Sequence, residues 1–120
     1  MGRLKLTCLP AILVFCLMAG CHSPYITVTI TNQSKGPLSL IEVDYPSASF
    51  GLDSLASGAQ YHYRFKVIGS GPVKIQFTDA AGKIHSASGP ALKENQEGSL
   101  AITIEENAQV SWGQRLSASK

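Results

Sequence analysis

The fold class of this chain is decided by residues 59–68, which have the sequence AQYHYRFKVI. Aromatic or aliphatic side chains alternate with polar ones from Gln60 to Val67, and strict alternation is the pattern of a half-buried β-strand. One face carries aromatic and β-branched residues, whereas the other carries a glutamine and three basic side chains. The pattern predicts a central strand whose aromatic face lies in a core.

Period-two alternation recurs along most of the chain, and a helical period lasts nowhere longer than a turn. The alternating segments predict about seven short strands, at residues 25–31, 38–45, 59–68, 73–78, 83–88, 99–105 and 109–113. Adjacent Leu40 and Ile41 break the alternation and predict a bulge or a change of face. The chain is therefore predicted to be all-β, a small antiparallel β-sandwich of two packed sheets.

Three segments lack clear alternation. Residues 46–58 are rich in serine, glycine and small residues, and we expect a crossing loop with one short strand. Residues 89–98 are predicted to be a polar loop. Residues 114–120 are predicted to be a flexible tail, so that the sandwich ends at residue 113.

A motif at residues 55–63 supports the sandwich class. Leu55, Gly58 and Tyr61 follow one another there at short spacing, with Ser57 between the first two. The run resembles the Leu-x-Pro-Gly entry to a strand in fibronectin type III and related immunoglobulin-like domains, with Ser57 at the proline position. The resemblance implies an immunoglobulin-like sandwich over residues 25–113 and does not extend to the strand order.

The start of the chain has the order of an export signal. Arg3 and Lys5 precede an apolar run at residues 9–18, and two small residues then precede Cys21. The apolar run is shorter than the roughly 20 residues that a membrane-spanning helix needs. A cleaved signal is therefore predicted, and an ordinary secretory signal that ends at a chance cysteine is the alternative to a lipid-modified one.

The tetrapeptide Met18-Ala19-Gly20-Cys21 resembles the lipobox of bacterial lipoproteins. The resemblance implies cleavage between Gly20 and Cys21, and a diacylglycerol and a further acyl chain such as palmitate on Cys21. Residues 1–20 would then be the lipoprotein signal peptide, and residues 21–24 the lipidated N-terminus and a short tether. Because His22 rather than aspartate follows the cysteine, the resemblance also implies an anchor in the outer membrane, facing the periplasm.

Composition limits what the remaining chain can do. Removal of residues 1–20 from the 120-residue chain leaves 100 residues, which suffice for one domain. Cys21 is then the only thiol, so no intramolecular disulfide can form. Without Arg3 and Lys5, eight basic residues balance eight acidic ones. A neutral domain of this kind is not expected to bind nucleic acid.

The polar face of residues 59–68 is the best candidate for a binding surface. His62, Arg64 and Lys66 form a basic stripe there, and we expect Lys74 on the next strand to extend it. Such a stripe suits an anionic partner, for example lipid headgroups or cell-wall carboxylates. A solvated strand face with no partner is the alternative.

Catalytic patterns are missing from the sequence. It contains no Gly-x-Ser-x-Gly elbow and no histidine pair spaced for metal ligation. Glu42 and Asp44 share a strand face, and we expect a solvated surface opposite Arg64 or Lys66 rather than a catalytic pair. Trp112 is predicted to lie in the core rather than to serve as a sugar platform. We therefore expect no catalytic residues, no metal site and no cofactor.

The length of the tether favours action beside a membrane. Residues 22–24 span roughly 10 to 13 Å when extended, so the domain would lie close to the bilayer. The leading hypothesis is a non-enzymatic interaction or structural module, with membrane lipid and a neighbouring membrane or periplasmic protein as partners. The alternative is a module for a small ligand or glycan, built on loops around Phe50 and Leu92.

Overall fold

A computed structural model of the chain describes residues 24–118. The predictions for the signal peptide, for Cys21 and for most of the tether lie outside the described residues. The described part of the chain contains eight strands and no helix. The strands are β1 (Tyr25–Asn32), β2 (Leu38–Tyr45), β3 (Ala48–Leu55), β4 (Gln60–Lys66), β5 (Gly71–Thr78), β6 (Ile84–Leu92), β7 (Gln96–Ile104) and β8 (Val110–Ala118).

The strands form two four-stranded sheets that pack face to face. Sheet A has the order β4-β1-β7-β8, and sheet B has the order β3-β2-β5-β6. The prediction of a small all-β sandwich is confirmed, with eight strands rather than about seven. The expectation of wholly antiparallel pairing is wrong for one pair, because β1 and β7 run parallel, with Ile26 beside Gly98 and Asn32 beside Ile104.

Alternation places one face of each inner strand between the two sheets. In β1, Ile26, Val28 and Ile30 are fully buried, and the threonines between them face outward. Their β-branched side chains are stiff and fit a pleated surface, which favours this strand even before it packs. The other fully buried large side chains include Leu38, Ile41, Val43, Ile75, Phe77, Leu92, Leu100, Ile102 and Ile104.

Asn32, at the end of β1, is the one polar side chain that is buried in the described part of the chain. Its Nδ2 donates hydrogen bonds to the carbonyl oxygens of Leu55, at 2.9 Å, and Gly36, at 3.0 Å. Its Oδ1 accepts hydrogen bonds from the backbone nitrogen and the hydroxyl of Ser34. The side chain therefore joins β1 to the loop that follows it and to the end of β3.

Aromatic side chains close the seam where β2 and β3 meet β4. The ring of Tyr45 in β2 stacks on Phe65 in β4 with centroids 3.9 Å apart, and Phe50 in β3 stacks on Tyr63 in β4 at 4.1 Å. Burial, and then repulsion from the negative charge that Tyr63 carries when ionised, raise the pKa of Tyr45, since both disfavour its phenolate. These stacked pairs attach an edge strand of sheet A to sheet B.

The position of β4 differs from the prediction. It lies at an edge of sheet A and pairs only with β1 in that sheet, so the expectation of a central strand is wrong. The alternation itself is correct, because Phe65 is buried and the polar residues between the aromatic ones are exposed. Large inward side chains suit this edge because they cover the open seam between the sheets.

Strands are longer than predicted in three segments. Within residues 46–58, where we expected a crossing loop with one short strand, the strand is present as the eight-residue β3, which forms a hairpin with β2 after a turn in which Ser47 has φ 83°. Only residues 93–95 remain between β6 and β7, where we expected a polar loop over residues 89–98. β8 runs to Ala118, so the domain does not end at residue 113 and residues 114–118 are not a flexible tail.

The predicted irregularity in β2 is confirmed as a β-bulge. The register of β2 against β5 shifts between Ser39 and Glu42. Leu40 at this point has φ 50° and is 68% exposed, although its neighbour Ile41 is buried. The extra residue lets both Leu38 and Ile41 face the core. In a regular strand, residues three positions apart point to opposite faces of the sheet.

Candidate functional site

The basic stripe lies on the outward face of β4. His62, Arg64 and Lys66 are exposed and occupy alternate positions, with the aromatic seam behind them. Lys74 lies in β5, which belongs to sheet B, so the expected extension of the stripe by Lys74 is wrong. The side chains next to the stripe come from β1 instead.

β1 supports the stripe through cross-strand contacts. Thr29 Oγ1 and His62 Nδ1 are joined by a hydrogen bond of 3.0 Å. The guanidinium carbon of Arg64 lies 4.1 Å from the centre of the Tyr25 ring, which is a cation–π contact. Tyr25 is also the register partner of Lys66. Side chains of β1 therefore contact His62 and Arg64 of the stripe, although β4 itself is an edge strand.

One row of outward side chains crosses all four strands of sheet A. The register joins Arg64 to Thr27, Thr27 to Ser99, and Ser99 to Arg115. All four residues are exposed. Since neighbouring strands lie about 4.8 Å apart, the two arginine Cα atoms are separated by roughly 14 Å. Two guanidinium groups therefore flank two hydroxyl groups along one line.

The next row forms a shallow floor. It runs from His62 through Thr29 to Ala101 and Gly113, so its side chains become smaller toward β8. The small residues leave a depression beside Arg115. The depression adjoins the arginine row, and Ser99 and Arg115 of that row line it.

The two outward faces of the sandwich carry opposite charge. The outward charges on the strands of sheet A are three cations, Arg64, Lys66 and Arg115, and one carboxylate, Glu97. The outward charges on the strands of sheet B are three carboxylates, Glu42, Asp44 and Asp53, and one cation, Lys74. Over residues 21–120 eight basic residues balance eight acidic ones, so the overall composition does not reveal this division.

Arg115 is the member of the basic face that sequence reasoning missed. It lies in residues 114–120, the segment predicted as a flexible tail, where Ser117, Ala118 and other small residues weaken the alternation. The register through Ser99 and Thr27 places Arg115 in the same row as Arg64, although these two arginines are 51 residues apart in sequence. The alternation of Trp112, Gln114 and Leu116 around it was the available signal.

The candidate carboxylate pair lies on the other sheet. Glu42 and Asp44 face outward from β2 and are exposed, as expected for a solvated surface. Their register partners in β5 are Gln76 and Lys74, so the expected position opposite Arg64 or Lys66 is wrong. The pair therefore contributes to the acidic face of sheet B.

Asp79 and His85 close the turn between β5 and β6. His85 Nε2 donates to Asp79 Oδ2 at 2.7 Å, and Asp79 Oδ1 accepts the backbone N–H groups of Ala81 and Lys83, each at 2.9 Å. These bonds, with that from His85 the largest influence, lower the pKa of the Asp79 carboxyl. The His85 ring also stacks on Phe77, with centroids 5.2 Å apart, which ties the turn to the core.

Replacement of Asp79 by asparagine is expected to destabilise the fold at neutral pH. A carboxyl whose pKa is lower in the folded state contributes stability above its unfolded pKa, and this contribution is lost as the pH falls through the folded pKa. The difference in urea midpoint between wild type and Asp79→Asn should therefore shrink in acid. Asp53→Asn, on the outer face of β3, is the control. A difference that stays constant down to acid pH would contradict the assignment.

The residues proposed for a ligand or glycan site lie in the core. Phe50 in β3 is 8% exposed and Leu92 in β6 is fully buried, so the expected loops around them are wrong. Trp112 packs against the core, as predicted, and its ring lies on Gly89 of β6, where an added Cβ would come within 2.5 Å of ring atoms. Phe50 and Leu92 therefore belong to the hydrophobic core, and Trp112 packs against it.

Titratable groups do not gather into a metal-ligating set among residues 24–118. His62 and His85 lie on different sheets, each with its own hydrogen-bond partner. His22 lies outside the described residues. In the same range, no helix is long and apolar enough to cross a membrane.

Comparisons with known proteins identify a similar fold and no family. No protein-family model and no curated protein matches the sequence. Among solved structures, the chain is similar to an NMR structure of a protein from Eubacterium rectale, with a TM-score of 0.56 and 16% sequence identity over 76% of this chain and 88% of that chain. At this identity the similarity concerns the fold alone.

Proposed function

We propose that this chain is a lipid-anchored bacterial lipoprotein whose β-sandwich acts as a non-enzymatic interaction module close to the bilayer. The anchor is the acylated Cys21, and the export signal at residues 1–20 supplies the route to the cell envelope. The outer membrane, facing the periplasm, is the proposed location. The partners are membrane lipid and a neighbouring membrane or periplasmic protein.

The observation that carries this proposal is the opposite charge of the two outward faces. Exposed charges spread over flat sheet faces suit contact with an extended surface, whereas a small-ligand site needs a concave pocket with converging polar groups. β1 begins at Tyr25, four positions after Cys21, so an anchor on Cys21 is adjacent to sheet A. The basic face therefore belongs to the sheet whose first strand continues from the proposed anchor.

Replacement of Cys21 by serine is expected to abolish incorporation of labelled fatty acid in bacterial cells that express the full chain. The wild-type chain should carry the label, and its mature N-terminus should be Cys21 with the mass of the lipid. Cys16→Ser is the matched control, because it removes a cysteine of the same signal and should leave the label unchanged. Incorporation that survives Cys21→Ser, or a mature N-terminus at another residue, would refute the lipid anchor.

Two further measurements test location and partner. Density-gradient separation of membranes should place the labelled chain with the outer membrane, and recovery in the inner membrane would contradict that location. A photo-crosslinking residue at Ser86, which is exposed on the outward face of sheet B, should give one recurrent adduct with an envelope protein in intact cells. Absence of adducts together with a bound sugar in native mass spectra would support the alternative of a glycan-binding module.

A further inference from the structure

We propose that the outward face of sheet A docks flat on the anionic phospholipid headgroups of the membrane that anchors the chain. The inference deepens the proposed function and rests on the Cys21 anchor only for its geometry. It assigns a ligand to the row that contains Arg64 and Arg115, and it gives the domain an orientation, with sheet B directed away from the lipid.

The arginine row has the chemistry of a phosphate-binding surface. A guanidinium group presents several N–H donors in one plane and binds phosphate oxygens with two parallel hydrogen bonds. Arg64 and Arg115 stand at the two ends of the row, and the hydroxyls of Thr27 and Ser99 lie between them as further donors. The depression over Ala101 and Gly113 leaves space beside Arg115 for a headgroup.

The end of sheet A where β1 begins has the composition of a membrane–water interface. Tyr25 is 36% exposed and lies beside Lys66, and Ile68, two residues further on, is 60% exposed. A tyrosine ring has an apolar body and a polar tip, and such side chains are enriched at headgroup level. Because residues 22–24 reach roughly 10 to 13 Å, an anchored Cys21 holds this end within contact distance of the bilayer.

Charge decides which face turns toward the lipid. An anionic membrane attracts each nearby lysine or arginine, and the attraction falls off within about 10 Å at moderate ionic strength. Sheet A presents three cations against one carboxylate, whereas sheet B presents three carboxylates against one cation. An orientation with sheet B toward the lipid would therefore be repelled.

The test uses the full chain isolated from membranes and reconstituted in vesicles. Ala101→Cys places a reporter thiol on the outward face of sheet A, and Ser86→Cys places one on the outward face of sheet B. The described residues contain no cysteine, so each thiol is unique among residues 24–118. The readout is the rate of reaction with a water-soluble maleimide, in phosphatidylcholine vesicles with or without a minority of phosphatidylglycerol.

Phosphatidylglycerol is expected to slow labelling at position 101 by at least about tenfold at low salt, because several cations contribute together. High salt should restore the rate, and position 86 should react equally in both kinds of vesicle. The double variant Arg64→Glu/Arg115→Glu should remove the protection, whereas Lys74→Glu on sheet B should not. Arg64→Lys/Arg115→Lys keeps the charges and should retain most of the protection, which separates loss of charge from loss of fold.

Several outcomes would overturn the docking. Equal rates of labelling at position 101 in the two kinds of vesicle would contradict it. Loss of protection in Lys74→Glu as large as that in Arg64→Glu/Arg115→Glu would also contradict it. Protection of position 101 by isolated cell wall and not by vesicles would assign the face to a cell-wall polymer instead. Fatty-acid incorporation at Cys21 is measured separately, so failure of the anchor is distinguishable from failure of the headgroup contact.

Discussion

Replacement of Asn32 by alanine is expected to lower the free energy of unfolding by about 3 to 4 kcal/mol, because it leaves a buried carbonyl without a donor and a cavity in place of the amide. Asn32 is fully buried, and its Nδ2 is the side-chain donor to the Leu55 carbonyl at 2.9 Å. The same change removes the acceptor of the Ser34 backbone N–H. Urea unfolding, followed by fluorescence of Trp112, would measure the loss.

Asn107 provides a matched control for this prediction. It is an exposed asparagine in the turn between β7 and β8, and its Oδ1 accepts the backbone N–H of Gln109 at 3.2 Å. Asn107→Ala removes a similar short-range bond where water can replace it, so a change within about 0.5 kcal/mol is expected. If the two variants lost the same stability, the buried network around Asn32 would not have the proposed role.

Replacement of Gly98 by alanine is expected to cost about 3 kcal/mol or more, since it combines backbone strain with a steric clash. Gly98 has φ 135°, a conformation that residues with a Cβ rarely adopt. An added Cβ would collide with the backbone carbonyl oxygen of Arg115 and lie 3.0 Å from its carbonyl carbon. Because both partners are backbone, a side-chain rotation cannot relieve the contact.

Gly113, in the same pair of strands, is the control for Gly98. An added Cβ there would meet only the Ala101 side chain, at an ordinary 3.7 Å. Gly113→Ala is therefore expected to change the free energy of unfolding by no more than about 0.5 kcal/mol. Thermal unfolding of the two variants side by side measures the contrast. Equal free energies of unfolding for Gly98→Ala and the wild type would contradict the prediction, because β7 and β8 would then accommodate the added Cβ beside Arg115 without loss of stability.

The sequence predicts the position and length of strands that alternate strongly, and it underestimates the length of strands that do not. In β1 and β4, bulky inward residues and polar outward residues make the pattern visible without any neighbour. β3 contains serine, glycine and alanine at most outward positions, and its inward residues are Phe50, Leu52 and Leu55, which are spaced irregularly. Its strand conformation follows from pairing with β2, and pairing is a tertiary property.

The sequence did not predict which strands lie in the same sheet as the basic stripe. The alternation of β4 predicts that His62, Arg64 and Lys66 share a face, and they do. It contains no information about which strand lies beside them. Lys74 is nearer in sequence than Arg115 but lies on the opposite sheet, because β5 pairs with β2 and β6. The strand that pairs with β4 is β1, which is distant in the chain. β1 lies between β4 and the two strands that complete the face, β7 and β8.

The parallel pair of β1 and β7 has a consequence for how the native state is reached. Synthesis delivers β1 early, but the strand that lies beside it, with Gly98 next to Ile26, arrives more than seventy residues later. Until then β1 can pair along only one of its two edges, with β4. Closure of such distant segments is slow, so we expect the pairing of β1 with β7 to form late in folding. We therefore expect β1, the first strand to be made, to complete its pairing late, and its unpaired edge to be open until then to pairing with a strand of another chain.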